Sequence, residues 1–185
     1  SWNALGKARQ EEFFNFDAKG IKLRSARAAA FEAYTEFVKS KGIASVNPLE
    51  APAQLHQIVV RGKKFGIIGL VTAFFSDKEK DLTDKHKAPI PVQPARAVLH
   101  DLDDDTFPII LGHHPIGWFT PDSAEHFNSL LVEGRALYLH GHEHSVIPKF
   151  GNRGLISLGL GAAYQAYQED SSPSFYRNSF AVCEL

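Results

Sequence analysis

The hydrophobic pattern of the N-terminal third predicts one clear helix. Residues 1–24 show no sustained period and indicate an irregular or partly helical segment. From Ser25 onward, apolar residues recur at the spacing of one helix face, at Phe31, Tyr34, Phe37 and Val38. Ser25 is a capping residue type, and Gly42 suits the position just past a helix end. We therefore expect a helix from Ser25 to Gly42 whose aromatic stripe packs in the core.

Two apolar runs around a short turn predict a β-hairpin. Residues 43–54 contain two prolines among small residues and predict a connecting loop that leads into it. The runs at 57–60 and 65–71 are rich in β-branched residues and flank the turn at 61–64. The second run is almost continuously apolar, which predicts a strand covered on both faces.

Helix and strand patterns then alternate along the chain. Residues 76–94 are polar and Pro-rich and predict a solvated loop, followed by a short helix at 94–102. Val98, Leu99 and Leu102 are expected to face inward from that helix. A buried strand is predicted at 106–111, ending at Gly112, and another at 136–139.

The segment between these two strands predicts a helix over 121–132. Asp122 or Ser123 is expected to cap it, Gly134 to stop it, and the inward residues to be Phe127, Leu130 and Leu131. Further strands are predicted at 146–148, 153–159 and 179–183. This order of elements predicts an α/β fold with mixed β-sheets flanked by helices.

Composition describes an ordinary globular chain without a second-domain boundary. It has 185 residues, 44% hydrophobic and 22% charged, and a net charge of −1. That charge gives no basis for general nucleic-acid or membrane-surface binding, so nucleic acid is expected only as a substrate. The single cysteine, Cys183, excludes an internal disulfide and favours a reducing, cytoplasmic location. No apolar run approaches the roughly 18 residues of a membrane span.

Candidate chemistry lies in two histidine clusters, each directly after a predicted buried strand. They hold five of the nine histidines: His113, His114, His140, His142 and His144. Alternate residues leaving a strand point the same way, so His142 and His144 are expected to face one site while Glu143 points elsewhere. His113 is expected to reach this site from the neighbouring loop. Clustered imidazoles predict a metal site, and the distance to Cys183 together with the histidine spacing argues against a zinc finger.

Two other polar motifs are weaker candidates. Asp84-Lys85-His86 has the letters of a ligand triplet, but it lacks a preceding apolar strand that would hold it rigid. The triplet Asp103–Asp105 is expected to be solvent-exposed, because no glycine at loop spacing supports a calcium loop. We assign neither motif to the metal site.

The two histidine clusters resemble the last two motifs of the calcineurin-like metallophosphoesterases. Gly112-His113-His114-Pro115 is similar to the family's His-x-Pro motif, and Gly141-His142-Glu143-His144 to its Gly-His-x-His motif. The resemblance covers roughly residues 55–160 and implies an α/β/β/α sandwich. It also implies a two-metal site for Mn, Fe or Zn, with His144 on one metal and His113 and His142 on the other. His114, His126 and His140 match no ligand position.

The family's earlier motifs, Asp-x-His, Gly-Asp-x-x-Asp and Gly-Asn-His-Asp/Glu, have no match on strands before this point. Asp84–His86 follows the hairpin, and Gly151-Asn152-Arg153 lacks the histidine. We therefore expect the single domain 1–185 to be the C-terminal portion of a larger one, with 1–54 a helical lead-in and 55–185 the sheet-forming part. No catalytic residue is assigned, and the chain alone is expected to be inactive.

Three hypotheses follow for function. The first is a metal-dependent phosphoesterase acting on phosphomonoesters or phosphodiesters. The second is a non-catalytic or regulatory module of the same fold, and the third is a structural metal site in an unrelated α/β protein. A half-sandwich would expose a sheet edge, so self-association is expected. Candidate specificity residues are Trp118, Phe119, Tyr164 and Tyr167.

Overall fold

The computed structural model describes residues 10, 12–15, 17–42, 47–75, 85–86, 88–142, 147–151 and 154–160. The predicted strand at 179–183, Tyr164 and Tyr167 lie outside these residues. The described helices and strands, in chain order, are α1 (Ala18–Ser25), α2 (Ala28–Ser40), β1 (Ala53–Val60), β2 (Lys63–Leu70), α3 (Val92–His100), β3 (Thr106–Gly112), a 3₁₀ turn (Ile116–Trp118), α4 (Pro121–Glu133), β4 (Leu137–His140), β5 (Ile147–Gly151) and β6 (Gly154–Gly159).

One six-stranded sheet organises the described part of the chain. Its strand order is β1-β2-β3-β4-β6-β5. The four inner strands are parallel to one another, whereas the edge strands β1 and β5 are antiparallel to the strands beside them. The predicted fold class, a mixed α/β sheet flanked by helices, is confirmed. The finer prediction, half of a two-sheet sandwich, stays a prediction. No described helix combines the length and hydropathy that a membrane span requires.

The predicted hairpin is confirmed, with a tighter turn and longer strands than expected. Val60 pairs with Lys63, so the turn has only two residues, Arg61 and Gly62. Both have positive φ, 50° and 78°, as a type I′ turn requires. β1 begins at Ala53, inside the predicted loop. One face of β2 is buried and the other half-buried, so the expected cover on both faces is confirmed in part.

The predicted helix at Ser25–Gly42 is confirmed as α2, but it begins three residues later. Ser25 ends α1 instead, and its hydroxyl donates to the Ile21 carbonyl, 2.9 Å away, so it does not cap α2. Gly42 has φ 63°, as expected after a helix end. Residues 18–24, part of the segment predicted as irregular or partly helical, are helical.

The core role predicted for the aromatic stripe of α2 is wrong for two of its four residues. Phe31 packs on Phe74, with ring centroids 5.1 Å apart, and Val38 is buried. Tyr34 and Phe37 are 52% and 57% exposed. Phe31 and Val38 lie two turns apart on the line of contact with the core, whereas the other two lie beside that line.

The last part of the predicted solvated loop at 76–94 is buried. Residues 88–91 pack against the 3₁₀ turn, where the Thr120 amide donates to the Ala88 carbonyl at 2.9 Å and Ala88 pairs with Phe119. α3 then begins at Val92, two residues before the predicted start. Val98, Leu99 and Leu102 pack against the core as predicted.

α4 is confirmed, although its start differs from the prediction. Thr120 precedes its first turn without a side-chain hydrogen bond, and Pro121 occupies that turn, so neither Asp122 nor Ser123 caps the helix. Pro121 needs no amide partner there and its φ is already helical. The inward residues Phe127, Leu130 and Leu131 are buried as predicted. β4 lies one residue later than predicted.

A buried arginine ties the N-terminal helices to the loop before β1. Arg24 is fully buried, and its guanidinium donates to the backbone carbonyls of Phe13, Asn15, Leu49 and Glu50. Burial lowers the pKa of Arg24, and the nearby Asp17 carboxylate opposes that shift. Buried backbone carbonyls need hydrogen-bond donors, and this one side chain supplies a donor to four of them.

Candidate metal centre

The candidate metal centre lies at one edge of the sheet, where parallel strands end. Gly112 pairs with His140, so the last residues of β3 and β4 lie side by side at this edge of the sheet. β2 runs parallel to β3 and ends at the same edge. Loops that follow parallel strands meet at their carboxyl ends, which is where side chains from distant parts of the sequence converge.

His113 and His142 meet at this edge. His113 Nε2 and His142 Nδ1 are 3.0 Å apart, and the ring centroids are 4.9 Å apart. The Gly141 amide donates to the His113 carbonyl at 3.1 Å and so joins the two loops. The structure therefore brings together two of the three predicted ligands. The third, His144, lies outside the described residues, as does Glu143.

The backbone of His142 has a conformation that few non-glycine residues adopt. Its φ is 72°, in the left-handed region. Its ring lies against Trp118, with centroids 4.1 Å apart and planes at 78°. Strained backbone and a packed ring at one residue are common where a side chain must be held for function. Trp118, one predicted specificity residue, thus borders the site, whereas Phe119 is buried in the core.

His114 completes a cluster of three imidazoles. Its ring centroid is 4.8 Å from that of His113 and 4.8 Å from that of His142. One ligand atom from each ring can be chosen so that all three lie within 4.8 Å of one another. His113 is exposed, His142 partly buried and His114 only 3% exposed. The cluster therefore has one open side.

Thr72 holds His114 from the end of β2. Its hydroxyl oxygen lies 3.1 Å from His114 Nδ1, and it accepts the amides of His113 at 3.2 Å and His114 at 3.4 Å. Burial, and after it the charges of the neighbouring His113 and His142, together lower the pKa of His114 to about 4, against a smaller opposite effect of a hydrogen bond to the Thr72 backbone. His114 is therefore neutral near pH 7, the form that binds metal.

Tyr138 supports the site from below. The Tyr138 hydroxyl donates to the His114 carbonyl at 2.6 Å, and the ring packs edge-on against Phe127. Burial raises the pKa of Tyr138, so the hydroxyl keeps its proton. A Cβ on Gly112 would collide with the Tyr138 hydroxyl, which explains why a glycine precedes the histidine pair.

The remaining polar candidates lie elsewhere. His140 is buried and stacks on Tyr138, with centroids 5.4 Å apart, beneath the cluster rather than in it. His86 and His126 are exposed and outside the cluster, and Asp84 lies outside the described residues. Lys64 contacts Asp103 and Asp105 at 3.2 and 3.0 Å, at the opposite end of β3, so this acidic triplet is exposed as expected.

The donor set fits a borderline divalent ion. Zinc–imidazole bonds of 2.0–2.1 Å in a tetrahedral site place neighbouring nitrogens about 3.3 Å apart. The 3.0 Å between His113 and His142 is close to that spacing. Within the described ranges, the cluster contains three imidazoles and no carboxylate. Imidazoles suit zinc and the later transition metals, whereas magnesium prefers oxygen ligands.

Sequence reasoning missed Thr72 and set aside His114. The parallel pairing of β2 with β3 is the feature that would have identified both residues, because it brings the residues after each strand to one edge of the sheet. Thr72 follows β2 by two residues, and His113 follows β3 directly. A hairpin predicted only from local pattern gives no information about which strand its second arm will pair with.

Comparisons with known proteins give little similarity. Neither a protein family nor a curated protein matches this chain. A solved structure described as GAP50, the anchor in the inner membrane complex of Plasmodium, is similar at 18% identity with a TM-score of 0.41. That match covers 62% of this chain and spans 38% of the length of the other.

Proposed function

We propose that this chain supplies the histidine side of the metal site of a phosphoesterase that hydrolyses phosphomonoesters or phosphodiesters. The observation that carries the proposal is the 3.0 Å approach of His113 and His142, delivered by two neighbouring parallel strands. The resemblance of their motifs to the calcineurin-like metallophosphoesterases supplies the reaction class. The substrate is a phosphate ester, and a nucleic acid would bind this protein only as such a substrate.

Each histidine has a role in the proposal. His113 and His142 hold one ion, and His144 holds a second, as the resemblance implies; Mn, Fe or Zn are the candidate metals. A divalent pair would supply Lewis-acid polarisation of the phosphate and activation of the attacking water. Trp118 fixes the ring of His142 and forms an apolar wall beside the open side of the cluster.

The described cluster contains no carboxylate, and this limits the catalysis that it can support. Two-metal hydrolases clamp both the attacking and the leaving oxygen, and bridging carboxylates help to hold such ion pairs. We therefore expect the bridging carboxylate and the proton donor to come from residues outside the described cluster, and the three histidines alone to support little turnover. The same feature favours a second candidate, a non-catalytic metal-binding module.

Hydrolysis of an aryl phosphate and a bis-aryl phosphodiester, with Mn²⁺ or Zn²⁺, tests the proposal in the protein expressed from its complete reading frame. We expect metal-dependent hydrolysis that falls at least about 100-fold in His142→Gln and His113→Gln. His126→Gln, which changes an exposed histidine outside the cluster, should leave the rate unchanged. Metal binding without hydrolysis of either ester would favour the non-catalytic module. Hydrolysis insensitive to both cluster variants would overturn the proposal.

A cytoplasmic location and self-association remain predictions. The residues on which self-association would act are the exposed apolar side chains of the edge strand β1, Ile58, Val59 and Val60. An exposed apolar edge strand favours pairing with another chain. Sedimentation of the purified chain over a range of concentrations decides this point.

A further inference from the structure

His114 has no ligand role in the family resemblance, yet its ring forms a nearly equilateral triangle with the rings of His113 and His142. Its centroid is equidistant, at 4.8 Å, from the centroids of His113 and His142. The planes of His113 and His114 are nearly perpendicular, at 80°, so the two rings do not stack. This arrangement differs from that of a histidine packed among apolar side chains for its bulk alone.

Three hydrogen-bonding contacts from two buried residues, Thr72 and Tyr138, hold His114 in place. Its amide donates to the Thr72 hydroxyl at 3.4 Å, and its carbonyl accepts the Tyr138 hydroxyl at 2.6 Å. Its Nδ1 lies 3.1 Å from the same Thr72 oxygen. Thr72 follows β2 and Tyr138 lies in β4, so strands on both sides of β3 fix one imidazole. Such over-determined placement is typical of functional groups rather than of packing.

We propose that His114 is a third imidazole ligand of the ion held by His113 and His142, and that Thr72 positions it. Thr72 contacts Nδ1, so Nε2 is the nitrogen that binds the ion. In the tautomer that binds metal through Nε2, Nδ1–H donates to the Thr72 hydroxyl oxygen, and an oxygen that accepts this N–H is what orients metal-bound histidines. The three ligand atoms lie within 4.8 Å of one another and would have to approach to about 3.3 Å to hold one tetrahedral ion.

The chemical class of the ion follows from the ligands. Three neutral imidazoles with one open position favour Zn²⁺ or Co²⁺ over Mg²⁺ or Ca²⁺. The inference deepens the proposed function, on which it rests for the roles of His113 and His142. It adds that the three imidazoles hold this ion before any bridging carboxylate joins it. The resemblance assigns His144 to the other ion, so His144 should be dispensable here.

Binding of Co²⁺ to the chain, followed by its visible absorption and by competition with Zn²⁺, tests the inference without any substrate. We expect one tight ion per chain, with an affinity that falls at least about 100-fold in His114→Gln. His126→Gln is the matched control and should leave that affinity unchanged. Unchanged affinity in a folded His114→Gln would overturn the inference.

Two further measurements keep the test decisive if His114→Gln does not fold. Thr72→Val keeps the shape of the side chain and removes the hydroxyl, so the affinity should fall about 10-fold to 100-fold. X-ray absorption of the zinc-loaded His144→Gln chain counts imidazoles directly. Three imidazoles support the inference, and two contradict it. Neither outcome depends on phosphate-ester hydrolysis, so the proposed function and this inference fail separately.

Discussion

At the scale of single residues, buried polar groups beneath the cluster determine where the histidines lie. Tyr138 and Thr72 are buried, and both form hydrogen bonds with His114. A buried polar group without a hydrogen-bond partner destabilises the folded state. Removal of one partner of either bond should therefore lower the free energy of unfolding. The geometry of the cluster thus depends on residues that do not themselves bind an ion.

Tyr138→Phe should reveal this dependence. It keeps the ring packed on Phe127 but leaves the buried His114 carbonyl without its donor. We expect the free energy of unfolding to fall by about 1–2 kcal/mol, measured by urea denaturation with a chelator present. Tyr34→Phe removes the same atom from an exposed residue and should change stability by less than about 0.5 kcal/mol. Equal effects of the two substitutions would contradict the account.

The stability of the metal-free chain should depend on the protonation of His114. Burial lowers its pKa from 6.5 to about 4, so the unfolded chain binds the proton first as the pH falls. Stability is therefore at its full value above pH 6.5 and declines between pH 6.5 and 4. The slope from this group is at most about 1.4 kcal/mol per pH unit. A folded His114→Asn should show a shallower decline, and a decline identical to that of the wild type would contradict this assignment.

At the scale of elements, the strand ends are where close packing is most restrictive. Gly112 ends β3 against the hydroxyl of Tyr138. In Gly112→Ala the new Cβ would overlap the Tyr138 hydroxyl, so one of the two residues would have to move. We expect the free energy of unfolding to fall by about 1–3 kcal/mol. Gly117→Ala is the matched control, because its Cβ would meet open space, and it should change stability by less than about 0.5 kcal/mol. Thermal or urea unfolding of the two variants decides the point.

The N-terminal helices should depend on Arg24 in the same way. Arg24→Met keeps much of the buried bulk and removes the donors to four backbone carbonyls. We expect the free energy of unfolding to fall by on the order of 3 kcal/mol, and the backbone amides of α1 to exchange hydrogen faster. Arg96→Met breaks only an exposed pair with Glu133 and should cost less than about 1 kcal/mol. A loss from Arg24→Met no larger than that from Arg96→Met would contradict this role.

Elements defined by local pattern were predicted well from the sequence. The hairpin, α4 and the strands on either side of it follow from periodicity and turn residues, which depend on near neighbours. The exposed Tyr34 and Phe37 and the buried segment at 88–91 were not predicted. Both depend on what packs against the segment in space. The apolar stripe of a helix does not show, from the sequence alone, how many of its side chains the rest of the protein covers.

At the scale of the whole molecule, the sheet topology converts separate histidine clusters into one site. The sequence indicated that His113 and His142 follow neighbouring strands, because a strand, a helix and a strand place the strand ends together. It did not indicate Thr72, whose contact with His114 spans 42 residues and requires β2 to pair with β3. Long-range pairing of this kind leaves no local pattern in the sequence.

The central claim, a metal centre formed by histidines from the ends of β3 and β4, is tested most directly by diffraction from zinc-soaked crystals. Anomalous data collected on both sides of the zinc absorption edge locate the ion independently of the protein map. The account predicts a peak about 2.1 Å from both His113 Nε2 and His142 Nδ1. Absence of a peak at these two histidines, with zinc bound elsewhere or nowhere, would contradict it.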